Sequence, residues 1–231
     1  MTLGKRIFMD INRPAPALVE RFRQYGASDF GDVMYKANTM DRAIGPVFSP
    51  VPRIVGSAVT VSVPTGSMNV RMIAMNMTQP GDVLVINSYG CMNYAVLGGV
   101  FATALVQRGV QGVIIDGAIR DLTEIRDLGL PVFARGVTTM APPHVGPGEA
   151  NVPIACGRIV VNPGDIIVAD EDGIVAIPQH AAEQVLAGAE RRDRKLVPLI
   201  EQSQRGGVST DIQGVEEELR ADGFAFVASA Q

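Results

Sequence analysis

The sequence predicts an α/β fold organised around buried strands, and three observations carry that expectation. Val113-Ile114-Ile115 is an apolar run too short for a helix and bounded by glycines, the pattern of a strand covered on both faces. Behind Asp116-Gly117, which reads as the end of that strand, Leu122, Ile125 and Leu128 recur at helical spacing with Asp121 near the N-cap. Upstream, residues 58–63 alternate with the period of a strand and Val83-Leu84-Val85-Ile86 forms a further apolar run, each with a helical segment after it. Arg120 and Asp121 therefore fall where the carboxyl end of a strand meets the amino end of a helix, the place at which open α/β sheets hold ligands.

From the N-terminus, residues 14–38 read as two short helices. Leu18, Val19 and Phe22 share an apolar face, Gly26 breaks the first helix, and Ser28 or Asp29 is expected to cap the second. Residues 53–56 and 58–63 are strand, ended at Pro64-Thr65-Gly66-Ser67, and a helix with Val70, Ile73, Ala74 and Met77 on its apolar face follows. Gln79-Pro80-Gly81-Asp82 turns the chain into the strand at 83–86. The small, apolar residues from Val100 to Leu105 describe a buried helix, with Gly98-Gly99 at its start and a glycine cap at Gly109. Close helix packing explains such paired glycines more often than a ligand does.

Residues 131–135 are a short strand. The Gly- and Pro-rich stretch behind them is interrupted so often by Val, Ile and Cys that it reads as an ordered excursion, not a linker. Residues 159–161, 162–165 and 166–170 form strand, turn, strand, and Glu171-Asp172-Gly173 makes a hairpin into 174–178. The acidic run Asp170-Glu171-Asp172 is a turn signal before it is a cation site. From Gln179 to about Gln204 a highly charged helix carries a thin apolar stripe of Val185, Leu186, Leu196, Leu199 and Ile200, suited to packing on a neighbouring subunit, and a faint amphipathic pattern covers 215–226.

At 231 residues with an even composition, one domain spanning 1–231 is expected, with a core at about 26–178 and a helical extension at about 179–231. No run of about 18 uncharged apolar residues is present to span a bilayer. The first residues, MTLGKRIFMDINRPAP, have no apolar h-region and no small-residue cleavage site, and Cys91 and Cys156 stand alone, so a cytoplasmic location is expected. A net charge of −4, no Lys/Arg cluster and no Trp argue against nucleic acid as a partner.

His144 and His180 lack the spaced partners that a triad or a zinc site requires, and neither a Walker A motif nor G-x-G-x-x-G occurs. What remains is a guanidinium and a carboxylate at a strand-to-helix junction near a glycine-rich helix start. Arg120 can bind a small carboxylate in bidentate geometry, helped by backbone amides at Gly98-Gly99, and Asp121 can offer one hard oxygen to Mg²⁺ or Mn²⁺. That pairing suits 2-oxo acid chemistry, in which a metal polarises the keto oxygen as a C–C bond breaks. The alternative is an Arg–Asp pair that only caps the helix and forms a surface ion pair.

The segment GVQGVIIDGAIRDLTEIRDLGLPVFARG, with AVLGGVFATALVQRG before it and VNPGDIIVADEDGIVAIP after it, closely resembles the RraA-like family, which includes 4-hydroxy-4-methyl-2-oxoglutarate and 4-carboxy-4-hydroxy-2-oxoadipate aldolases. GASDFGDVM, GSAVTV and PGDVLVIN extend the likeness over roughly residues 26–200. The resemblance implies a β/β/α swivelling fold, similar to phosphohistidine domains, with peripheral N- and C-terminal helices, in homotrimers or homohexamers whose sites lie between subunits. It also implies that Arg120 binds the pyruvate carboxylate, that Asp121 contacts the divalent metal, and that the backbone of Gly98, Gly99, Val100 and Phe101 lines the substrate pocket. The reaction so implied is a class II aldol cleavage of a 4-hydroxy-2-oxo dicarboxylic acid to pyruvate, with oxaloacetate decarboxylation as a related activity through the same enolate. A second function carried by the family is non-catalytic regulation of an RNA-degrading enzyme. Gly99 and Leu196 stand where the aldolases tend to carry acidic residues, so ligand binding is expected to be complete and proton handling weakened.

Overall fold

The computed structural model describes residues 2–64, 66–207 and 214–227. Its chain divides into two compact units, Met1–Leu186 and Ala187–Gln231. The strands are β1 (Gly45–Pro46), β2 (Ile54–Ser62), β3 (Asp82–Ala95), β4 (Gly112–Ile119), β5 (Val132–Val137), β6 (Glu149–Ala150), β7 (Ile154–Cys156), β8 (Ile159–Val161), β9 (Ile166–Asp170) and β10 (Gly173–Ile177). The helices are α1 (Pro16–Phe22), α2 (Ala27–Val33), α3 (Met68–Met77), α4 (Gly99–Gln107), α5 (Leu122–Asp127), α6 (Ala182–Gln204) and α7 (Val215–Ala221).

In the first unit, β2, β3, β4 and β5 lie side by side in chain order and pair in parallel, with α3, α4 and α5 as the three crossovers. Antiparallel strands complete the sheet in the order β1-β5-β4-β3-β2-β9-β10, with β6 also paired to β2 and with β7–β8 as a separate hairpin. Parallel strands need both faces covered, and the residues sort themselves accordingly. Val113 and Ile115 join Leu84, Ile86, Ala102, Leu105 and Ile125 on the helix side, while Ile114 joins Val83, Val85, Ile154, Cys156 and Val161 on the hairpin side. The period-two alternation in β2 thus divides side chains between two apolar layers, and all nine of its residues are buried. Each Val or Ile so buried is worth about 1.5–3 kcal/mol of transfer free energy.

Several local expectations change. Both strands leading to the junction run past their expected ends: β3 continues beyond Ile86 to Ala95 and β4 continues through Asp116-Gly117 to Ile119, with register shifts after Asn87 and between Ile115 and Ala118. Asp116 explains how such a break is tolerated, because its carboxylate turns inward to accept the Gly157 N–H at 2.9 Å and a hydrogen bond from Arg135 Nε. β8 pairs with β7, not with β9 across the turn at 162–165. Neither Ser28 nor Asp29 is the first cap of α2; Gly26 is, and Asp29 reaches back to accept its N–H at 2.9 Å. The acidic run at 170–172 is spent locally, with Asp170 accepting from Ala27 N–H and Glu171 from Ser49 Oγ. On α3, Val70, Ala74 and Met77 pack on the core as expected, but Ile73 is exposed and Arg71 is buried beside Ala74.

The second unit holds the rest of α6, on which Val197 and Ile200 are exposed, and α7, none of whose residues is buried. Residues 208–213 and 228–231, part of the C-terminal tail, lie outside the described residues. No described helix is long and apolar enough to cross a membrane.

The inward carboxylate of Asp116 gives a direct test of the bulged junction. Asp116→Ala leaves the Gly157 N–H and Arg135 Nε without their acceptor, and is expected to lower stability by about 1–3 kcal/mol in urea denaturation. An unchanged midpoint would show that the broken ladder needs no such tie.

Candidate functional site

Where β3 and β4 end, backbone bonds bring their continuations together. The Val96 N–H donates to the Ala118 carbonyl at 2.8 Å and the Arg120 N–H to the Leu97 carbonyl at 2.9 Å, so Leu97-Gly98 runs beside Ile119-Arg120. A cavity of about 250 Å³ opens at this point, walled by Arg71, Leu97, Gly98, Phe101, Arg120 and Asp121. Larger depressions lie elsewhere, about 460, 410 and 330 Å³, and in the last of these Arg53 is paired with Asp170 and Glu171 with Ser49. In the first, the Arg13 guanidinium is already paired with Asp82 at 2.8 Å, and the second is an apolar groove between α2 and β10. The smaller cavity is therefore the one in which unspent polar groups converge.

Gly98 is extended, with φ −147° and ψ 178°, so its torsions suit any residue. Space is what requires glycine: a Cβ would lie 2.7 Å from Asp121 Oδ2 and 3.1 Å from Arg120 Nε. A Cβ on Gly99 would fall on the carboxylate of Glu124, which packs over the start of α4. Asp121 is left-handed at φ 57°, a conformation an Asp tolerates better than most residues, and its side chain makes no cap to its own helix. It crosses to α4 instead, where Oδ2 accepts the Gly99 N–H at 3.0 Å and lies 3.4 Å from Arg120 Nε. An expected anion-binding amide, that of Gly99, is thus taken by Asp121. The N–H groups of Val100 and Phe101 have no acceptor among the described residues. The helix expected to be buried from Val100 onward is buried on one side only, and Val100 itself is 84% exposed.

The expected residues Gly98, Val100, Phe101, Arg120 and Asp121 all line this one cavity, and Gly99 lies directly behind it under Glu124. His144 and His180 are both exposed, and no group of three or more His, Cys, Asp or Glu capable of holding a metal occurs among the described residues. Two residues were missed from sequence. Glu124 is one. Arg71 is the other, and it is only 4% exposed: Nε donates to the Gly66 and Ser67 carbonyls at 3.3 Å, Nη1 donates to the Val96 carbonyl, and Cζ sits 5.1 Å from the centre of the Phe101 ring. Burial pushes its pKa down to about 10, with the nearby Arg120 charge as the second cause. The signal was present as an arginine within the apolar run Val70 to Ala74, three residues before Ala74 and so on its stripe of the helix.

Gly98→Ala is expected to cost about 1–3 kcal/mol by overpacking, and to cost less in an Asp121→Ala background because the first atom in the way is then gone. Urea denaturation of the four proteins of that cycle measures it; additive losses would place the obstruction elsewhere.

A family model described as RraA-like, Aldolase/RraA, matches residues 18–176. A Halalkalibacterium halodurans protein with the provisional name 4-hydroxy-4-methyl-2-oxoglutarate aldolase is 34% identical over 174 residues, 75% of this chain and 82% of that one. The 4-hydroxy-4-methyl-2-oxoglutarate aldolase of Thermus thermophilus is 34% identical over 99 residues, 43% of this chain and 60% of that one. Among solved structures, Streptomyces coelicolor RraAS2, described as an unusual member of the RNase ES inhibitor RraA family, superposes with a TM-score of 0.73 at 25% identity, over 85% of this chain and 99% of that one. An uncharacterised Pseudomonas syringae protein superposes with a TM-score of 0.77 at 22% identity, over 89% and 97% of the two chains, and speaks for the fold alone. The layers of small sheet, large sheet and helices are those of the β/β/α swivelling fold, and the chain belongs to the RraA-like family.

Proposed function

We propose that this protein is a divalent-metal-dependent lyase that cleaves a 4-hydroxy-2-oxo dicarboxylic acid and releases pyruvate, with oxaloacetate decarboxylation as a related activity. The observation that carries the proposal is the Arg120–Asp121 corner, a cation and a carboxylate side by side at one small cavity against the first turn of α4. The reaction class comes from the names of the aldolase relatives.

Each group then has a task. The Nη atoms of Arg120 have no acceptor among the described residues, which leaves its fork available to the carboxylate of a 2-oxo acid. Asp121 spends Oδ2 on Gly99 and Arg120 and keeps Oδ1 for a cation. One free carboxylate oxygen fits Mg²⁺ or Mn²⁺, which retain several waters and need few protein ligands, and does not fit a cation that must be caged by protein oxygens. A bound ion would supply Lewis-acid polarisation of the 2-oxo group. Cleavage also requires removal of the 4-hydroxyl proton as the C3–C4 bond breaks and its return to C3. Gly99 carries no acid for this, and Glu124, packed over it, lies outside the lining of the cavity. Proton transfer by a well-placed group is worth about 10²–10⁴ in rate, so binding is expected to be intact and turnover slow.

A homo-oligomer, trimer or hexamer, and a cytoplasmic location belong to the same proposal. Exposed apolar side chains support the former: Val197 and Ile200 on α6, and Val100 at the mouth of the cavity. A second reading, a regulator that binds an RNA-degrading enzyme without catalysis, is favoured by the likeness to RraAS2.

Incubation with Mg²⁺ and oxaloacetate is expected to release pyruvate, and Asp121→Ala to abolish the Mg²⁺-dependent part. That variant also loses the hydrogen bond to the Gly99 N–H, with an expected stability cost of about 0.5–2 kcal/mol. Full activity in Asp121→Ala would move the metal elsewhere. No binding of oxalate with Mg²⁺ to the wild type in calorimetry would leave the regulator. Light scattering at micromolar concentration is expected to give the mass of a trimer or more, and a monomer would remove the assembly from the proposal.

A further inference from the structure

Arg71 has no role in the reaction as set out above, yet it is the more deeply buried of the two arginines on the cavity wall. A guanidinium withdrawn from water is ordinarily paired with a carboxylate. None reaches Arg71 among the described residues; its partners are three carbonyl oxygens and the face of Phe101. Those contacts occupy Nε and Nη1, and Nη2 has no acceptor among the described residues. Arg120 lines the same cavity, and its charge acts on Arg71 strongly enough to lower the latter's pKa. The one carboxylate on the wall, Asp121, is already engaged by Arg120 and the Gly99 N–H. Two guanidiniums against one spent carboxylate leave the cavity with an excess of positive charge.

We propose that Arg71 is a second anion-binding group of this cavity, which takes the distal carboxylate of a substrate whose 2-oxo carboxylate is held by Arg120, and so selects dicarboxylates over monocarboxylates. The inference rests on the lyase reading and adds to it a residue that determines specificity. At about 250 Å³ the cavity is smaller than the roughly 300–1,000 Å³ of sites for drug-sized ligands, which suits a small acid spanning two fixed charges. The carbonyls and the Phe101 ring hold the guanidinium in place before any ligand arrives, so little side-chain freedom is lost on binding.

Calorimetry on the full chain with Mg²⁺ tests this with two probes that share a 2-oxo acid end: pyruvate, a monocarboxylate, and 2-oxoglutarate, a dicarboxylate. A charge-assisted contact corresponds to about 10- to 100-fold in affinity, so the wild type is expected to prefer 2-oxoglutarate by that factor. Arg71→Met is expected to bring 2-oxoglutarate down to the level of pyruvate while pyruvate binding stays unchanged, a split that a merely structural arginine would not produce. Arg71→Lys, which keeps the charge, is expected to retain part of the preference, and with the wild-type ratio it decides the matter if Arg71→Met does not fold. Pyruvate binding without preference for 2-oxoglutarate in the wild type, or equal loss of both acids in Arg71→Met, overturns the role of Arg71 alone. A wild type that binds neither acid overturns the lyase site as well.

Discussion

The site depends on the close approach of two chain segments, the end of β4 and the start of α4, with no side chain between them. Gly98 and Gly99 make that approach possible, and in each case the required property is the absence of a Cβ, not a special torsion. With the gap closed, Asp121 can reach across from its own helix to the first turn of another, and Arg120 is drawn in beside it. A carboxylate at a helix N-terminus is favoured by the peptide dipoles, which suits the Asp121 side chain to the first turn of α4. The left-handed backbone at Asp121 is the strained part of this arrangement, and such strain persists where surrounding packing over-determines the geometry.

That packing comes from the two apolar layers on either side of the sheet. Because β4 is buried along its whole length, its end has little freedom, and the residues just beyond it inherit that rigidity. The order of strands is simple because each parallel neighbour is reached by one helical crossover, which puts three strand ends and three helix starts on the same edge. Arg120 and Asp121 occupy the corner made by one such crossover and Gly98-Gly99 the corner made by the one before.

This much was legible from local pattern. The apolar run at 113–115, the helical spacing of Leu122 and Ile125 and the paired glycines are all short-range signals, and they located the junction correctly. The misplaced features were set by partners distant in sequence. Asp116-Gly117 has the composition of a strand end, but Asp116 finds Arg135 and Gly157 and the strand goes on. Residues 159–161 look like the first arm of a hairpin with 166–170, but β7 and β2 compete for the two arms and separate them. Glu124 escaped notice for a related reason: nothing in a six-residue helix shows that its side chain will lie over a glycine on another helix.

Arg71 shows the same limit in its strongest form, and with it the link between burial and chemistry. Helical spacing puts Arg71 and Ala74 on one stripe, so packing Ala74 against the sheet draws the arginine inward as well. Once inside, its charge has to be met. Carbonyl oxygens and an aromatic face meet part of that demand by offering partial negative charge, but none of them carries the full charge of a carboxylate. A second arginine on the same wall raises the cost of keeping Arg71 charged, and a ligand that brings its own negative charges lowers it again. The imbalance of charge on the cavity wall is thus the same quantity that would favour a doubly charged ligand over a singly charged one.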